Sequence, residues 1–109
     1  MPFQPERPRI LVSDGGFELA GAVPHPIAVG WSQVNQINAF KRDLFSIDLI
    51  CFEFYLEKGT VVEVDEEMEN FDRLVEVLPV RFEGFDTGWW DKVAKPAFAT
   101  NFTEVWRRS

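Results

Sequence analysis

One stretch constrains the fold more than any other, because residues Ile47–Glu57 alternate between two faces with the period of a β-strand. One face carries only large apolar residues, namely Ile50, Phe52, Phe54 and Leu56. The other face is mixed and consists of Leu49, Cys51, Glu53, Tyr55 and Glu57. This pattern predicts a strand with one buried face and one partly covered face.

The residues after this strand predict a hairpin that leads into a helix. Lys58 and Gly59 form the turn, and Thr60–Val64 return as a second strand. A helical stripe then follows at spacings of three and four residues, made of Phe71, Leu74, Val75 and Leu78. We expect the acidic segment Asp65–Glu69 to open this helix, where carboxylates favour the positive end of its dipole, and Pro79 to close it.

The flanking segments predict further strands and a second helix. A first hairpin joins Arg9–Ser13 to Phe17–Ala20 through Asp14, Gly15 and Gly16, whose glycines would supply the positive φ angles of a tight turn. A short strand at Ile27–Val29 precedes a single helical turn from Trp31 to Val34 and a strand from about Asn35 to Arg42. Trp89–Lys95 is expected to form a short helix, and a short final strand lies within Ala97–Arg107.

These elements predict one α+β domain over residues 9–109. We expect an antiparallel sheet of five or six strands, packed against the helix Phe71–Leu78. Residues 1–8 contain Pro2, Pro5 and Pro8, which disfavour regular pairing, and are expected to form a flexible arm.

Composition narrows the range of partners and the cellular location. The formal net charge is −7, and this argues against binding to nucleic acid or to anionic membrane lipid. A single cysteine excludes an internal disulfide, and residues 1–9 lack the apolar core of a signal peptide. A cytoplasmic protein without a membrane anchor is expected.

The residue types used in catalysis are present but are not placed together by the sequence. His25 lies between two prolines, where a loop residue is expected, and Cys51 lies mid-strand, where a buried apolar role is expected. Asp65, Glu67 and Asp72 could bind a divalent cation, but their spacing matches no calcium loop. We therefore predict no catalytic residues, no metal site and no cofactor.

Trp89 and Trp90 are the candidate interaction surface. Neighbouring residues on a helix point about 100° apart, so one core cannot accommodate both rings. Either one ring covers the edge of the sheet and the other packs against the C-terminal segment near Phe98 or Trp106, or one ring stays exposed as an anchor for a protein partner or a second copy.

Three segments carry a resemblance to a known group of proteins: WSQVNQINAFKRDLFSIDLICFEF, VEVDEEMENFDRLVEVLP and WWDKVAKPAFATN. Over roughly residues 10–107 the chain resembles a family of small bacterial proteins of unknown function. The resemblance implies a compact cytoplasmic domain and gives no functional residues. The order of a W-x-x-V-x-x-I turn, a long strand, a glycine turn, a second strand and a helix also resembles bacterial pleckstrin-homology-like domains, which implies a strongly bent sheet.

Three functions follow from these observations. The leading hypothesis is a non-catalytic protein-interaction or adaptor module. One alternative is a small enzyme or accessory subunit that uses the acidic segment Asp65–Glu69 with His25 or Cys51. The other alternative is an acidic, immunity- or antitoxin-like protein that binds a basic partner.

Overall fold

The computed structural model describes residues 7–21, 24–44, 47–95 and 100–109. Within them the strands are β1 (Arg9–Val12), β2 (Gly16–Ala20), β3 (Ile27–Gly30), β4 (Val34–Asp43), β5 (Asp48–Leu56), β6 (Val61–Asp65) and β7 (Thr103–Arg107). The helices are α1 (Phe71–Arg81) and α2 (Trp89–Ala94), and a 3₁₀ turn at Trp31–Gln33 joins β3 to β4. The α+β class, the two helices and the turn before β4 are therefore as the sequence predicts.

The prediction of one sheet with five or six strands is wrong. The strands form two antiparallel sheets, one with the order β1-β2-β3 and the other with the order β6-β5-β4-β7. The 3₁₀ turn separates them, because after it β4 pairs with β5 and β7 and not with β3. The backbone N–H of Trp31 donates to the carbonyl of Gly15 at 3.0 Å and thereby holds the turn against the first hairpin.

Strand β5 is one of the two inner strands of the larger sheet, and its alternation is confirmed. Ile50, Phe52 and Phe54 are buried on the inner face. On the other face Leu49 and Cys51 are also buried, while Glu53 and Tyr55 are partly exposed. The hairpin to β6 is confirmed as well, with Gly59 at a φ of 82°.

The two sheets share one core. The ring of Phe17 on β2 lies 4.9 Å from that of Phe54 on β5, measured between centroids. Helix α1 contributes the buried residues of its stripe, Phe71, Leu74 and Leu78. Each large side chain that becomes fully buried stabilises the fold by about 1.5–3 kcal/mol, so this shared core accounts for much of the stability.

The predicted boundaries of α1 are wrong at both ends. The helix begins at Phe71, because Asn70 takes a left-handed φ of 70° and Glu69 forms a parallel β-bridge with Arg9 of β1. The N–H of Ile10 donates to the Glu69 carbonyl at 2.9 Å, and the Asn70 side chain donates to the Ile10 carbonyl at 2.9 Å. Pro79 lies inside the helix, where it removes one hydrogen bond, and the N–H of Phe82 still closes the last turn on Leu78.

The first hairpin is confirmed, but the explanation for its glycines is wrong. Gly15 and Gly16 do not take left-handed φ angles. Gly16 is needed because a Cβ there would lie 1.9 Å from the backbone carbonyl oxygen of Val29 on β3. The residue therefore permits close approach of two strands.

Residues 1–6 of the predicted arm lie outside the described residues. Arg7, which follows them, forms ion pairs with the carboxylates of Asp65 and Glu67. This end of the chain is therefore tied to the end of β6.

Gly16→Ala should lower the free energy of unfolding by about 3 kcal/mol, because the new methyl group would collide with backbone that has no flexible side chain to move aside. Gly15→Ala is the matched control, since nothing lies within 4 Å of its Cβ position. Its cost should stay within about 0.5 kcal/mol in urea denaturation. Equal midpoints for the two variants would contradict the close approach of β2 and β3.

Candidate functional site

Helix α2 places the two candidate tryptophans in different environments. Trp89 is buried, and its ring meets that of Phe52 edge-on at a centroid distance of 4.8 Å. Trp90 is 52% exposed, and its ring stands at 81° to that of Trp89, 5.6 Å away. The Trp89 ring therefore belongs to the core, and the Trp90 ring lies on the surface and contacts Trp89.

The alternative contacts predicted for the second ring are not seen among the described residues. Trp106 packs instead against Phe82, at a centroid distance of 4.6 Å, and its indole N–H donates to the Glu83 carbonyl. Phe98 lies outside the described residues.

Helix α2 is short, and side chains hold it at both ends. Before its first turn the Asp86 carboxylate accepts a hydrogen bond from the Gly88 N–H and pairs with Lys92. The Lys92 hydrogen bond holds the pKa of Asp86 below its usual range. At the other end the Lys41 ammonium donates to the Ala94 carbonyl at 3.0 Å, which places a cation at the negative end of the helix.

Lys41 is itself buried in the larger sheet. Its side chain is 2% exposed, and its Nζ lies 3.2 Å from a carboxylate oxygen of Asp48 on β5. This ion pair and the bond to Ala94 together make a buried ammonium tolerable. The position of α2 is thereby fixed to β4 and β5.

Sequence reasoning missed a second exposed ring. Phe102 is 56% exposed and stacks on Phe40 of β4, with the ring centroids 5.4 Å apart. The Arg42 guanidinium lies over the Phe40 ring, 5.4 Å from its centroid. Periodicity could not reveal this contact, because it depends on β7 pairing with β4 across more than sixty residues of sequence.

His25 and Cys51 are not brought together. His25 is an exposed loop residue before β3 in the smaller sheet, and Cys51 is a fully buried residue of β5 in the larger one. Burial raises the pKa of the Cys51 thiol to about 12, and the carboxylate of Glu63 adds to the rise. The thiolate needed by a nucleophile is therefore disfavoured at neutral pH.

The three acidic residues considered as metal ligands, Asp65, Glu67 and Asp72, have other interaction partners. Arg7 bonds both Asp65 and Glu67, while Asp72 lies in α1 and accepts a hydrogen bond from the backbone of Arg73. In the part of the chain that the structure describes, no three acidic, histidine or cysteine side chains are grouped as metal ligands would be.

Comparison with known proteins does not add a site. No protein-family model matches this chain, no curated protein is similar to it, and no solved structure matches it. The resemblances drawn from the sequence therefore stay predictions. Among the described residues, neither helix has the length and the apolar run needed to cross a bilayer.

The shifted thiol gives a stability effect with a definite sign. An unfolded Cys51 loses its proton near pH 9, whereas the folded one keeps it until about pH 12. The unfolded state therefore binds fewer protons between these values, and the free energy of unfolding should fall as pH rises through this window.

Cys51→Ala isolates this effect from other titrating groups. Removing the thiol leaves a small cavity, and the cost of that cavity is the same at every pH. The stability difference between parent and variant should then shrink from pH 8 to pH 11 in urea denaturation. A difference that stays constant across this range would show that the thiol titrates normally.

Proposed function

We propose that this protein is a non-catalytic protein-interaction module and that Trp90 anchors the contact. The observation that carries the proposal is the pair of tryptophans on α2, one buried and one 52% exposed. Tryptophan is enriched among the few residues that contribute most of the binding energy at protein interfaces.

The surroundings of Trp90 support this role. Its ring packs against that of Trp89, and hydrogen bonds with Asp86 and Lys41 stabilise the two ends of α2. An aromatic side chain on a fixed support loses little conformational freedom when a partner covers it, so more of the contact energy appears as affinity. The partner is a second copy of this chain or another protein.

The chemistry of the remaining candidates favours binding over catalysis. A hydrolase needs a nucleophile and a base within hydrogen-bond reach, but His25 lies in the loop before β3 of the smaller sheet and Cys51 lies on β5 of the larger one. The net charge of −7 supports a protein partner over nucleic acid. A cysteine that is buried and free agrees with the cytoplasmic location proposed for the chain.

Trp90→Ala should leave the protein folded but abolish association, as measured by sedimentation for self-association and by quantitative pull-down for foreign partners. Trp89→Ala should instead cost about 4 kcal/mol of stability, because it empties a site in the core. Val80→Ala is the matched surface control, since Val80 is also exposed and apolar but lies on α1.

Two results would contradict the proposal. In one, Trp90→Ala associates with the same species as the parent and as Val80→Ala. In the other, Trp90→Ala unfolds as readily as Trp89→Ala, which would place the ring in the core.

A further inference from the structure

As far as the described strands show, the two sheets have four outer edges, and three of them are covered or short. The edge of β1 is covered by residues 69–70, which bond both backbone groups of Ile10. The edge of β7 is met by the loop before α2, where the Asp86 N–H donates to the Val105 carbonyl at 2.8 Å. Strand β3 has only four residues and follows Pro24 and Pro26. Natural proteins protect sheet edges in these ways.

The edge of β6 differs from the other three. It has five residues, contains no proline, and pairs on one side only with β5 among the strands of the described residues. Hydrogen bonds from Leu56 to Thr60 and from Glu66 to Ile50 fix which residues face β5. Because backbone groups alternate along an antiparallel pair, Val61 and Glu63 direct both their N–H and C=O groups away from β5.

This edge is also acidic. Glu63 lies directly opposite Glu53 on β5, and the end of the strand continues into Asp65, Glu66 and Glu67. Arg42 pairs with Glu63, and Arg7 pairs with Asp65 and Glu67, so two cations face five carboxylates. The excess of negative charge lies along the same strip as the open backbone groups.

We propose that the edge of β6 is a second docking surface, which takes an extended basic segment of a partner protein by strand addition. The outward backbone groups of Val61 and Glu63 would supply main-chain hydrogen bonds, and the carboxylates would select lysine or arginine at alternate positions. Glu63 contributes to both, because it has outward-facing backbone groups and a carboxylate side chain.

The other occupants fit less well. A second copy that paired antiparallel about Glu63 would set this carboxylate against its own equivalent, and like charges opposite each other are destabilising. The chain's own residues 1–6 include Pro2 and Pro5, which lack an N–H, and Glu6, which would add negative charge.

This surface is separate from the one proposed at Trp90. Helix α2 contacts β4 and β7, whereas β6 forms the opposite edge of the same sheet. Trp90→Ala should therefore leave binding at β6 unchanged, and failure of one proposal does not decide the other.

A short synthetic peptide in which lysine alternates with threonine is the probe. We expect it to bind the parent protein, to protect the amides of Val61 and Glu63 from hydrogen exchange, and to bind more weakly as salt is raised. The control peptide carries glutamate in place of lysine and should not bind.

Two variants of the protein make the test specific. Glu63→Lys should weaken binding of the lysine peptide about tenfold, because it replaces attraction by repulsion across the new strand pair. Glu104→Lys is the matched control: Glu104 is a half-exposed carboxylate that is paired with an arginine, like Glu63, but lies on β7 at the far edge. This variant should bind the peptide as the parent does.

Val61→Pro tests the backbone contribution separately from charge. It removes an N–H that points away from β5, so the sheet loses no bond of its own while the added strand loses a donor. We expect it to melt near the parent temperature and to bind several-fold more weakly.

Three results would overturn the proposal. They are equal loss of affinity in Glu63→Lys and Glu104→Lys, peptide binding without protection at Val61 and Glu63, and protection of these amides without peptide. The last result would mean that a second copy or the chain's own N-terminal residues already occupy the edge.

Discussion

The packing around the Phe52 ring is the interaction on which the rest of the structure depends. The ring lies on the inner strand β5 and contacts Phe71 of α1, Trp89 of α2 and Phe85 of the loop between the helices. Neither helix is long enough to be stable alone in water, so both depend on this contact with the sheet. The placement of Trp90 at the surface follows from it, because Trp89 cannot leave Phe52 without moving its neighbour.

Local pattern predicted the parts of the fold that depend on local physics. The alternation along residues 47–57 identified β5 because a strand has a period of two, and the helical stripe identified the body of α1. The division into two sheets was missed because hairpin turns predict which consecutive strands pair. They do not show that β3 and β4, which are also consecutive in the chain, stay unpaired. The start of α1 was misplaced because Glu69 and Asn70 bond Ile10, some sixty residues away.

The candidate surfaces divide in the same way. That Trp89 and Trp90 point in different directions follows from helix geometry, but the two adjacent residues alone do not show which ring is buried or whether the other stays exposed. The Phe40–Phe102 stack and the place of β6 at the edge of the described sheet depend on sheet order, which no motif in the chain encodes. Gly16 is intermediate: the sequence marks it as special, but only the distance to Val29 shows that the reason is proximity and not a turn.

The buried ammonium of Lys41 has a consequence for how the protein opens. If α2 lifted away from the sheet, this ammonium would lose its hydrogen bond to the Ala94 carbonyl and keep only its interactions within the sheet, such as the ion pair with Asp48, and losing a hydrogen bond to a buried charged group is costly. Fraying of a six-residue helix is ordinarily cheap, but here it is coupled to β4 and β5. The helix and the central strands therefore form one cooperative unit, and a load applied at Trp90 is transmitted to the sheet instead of being absorbed by local unfolding.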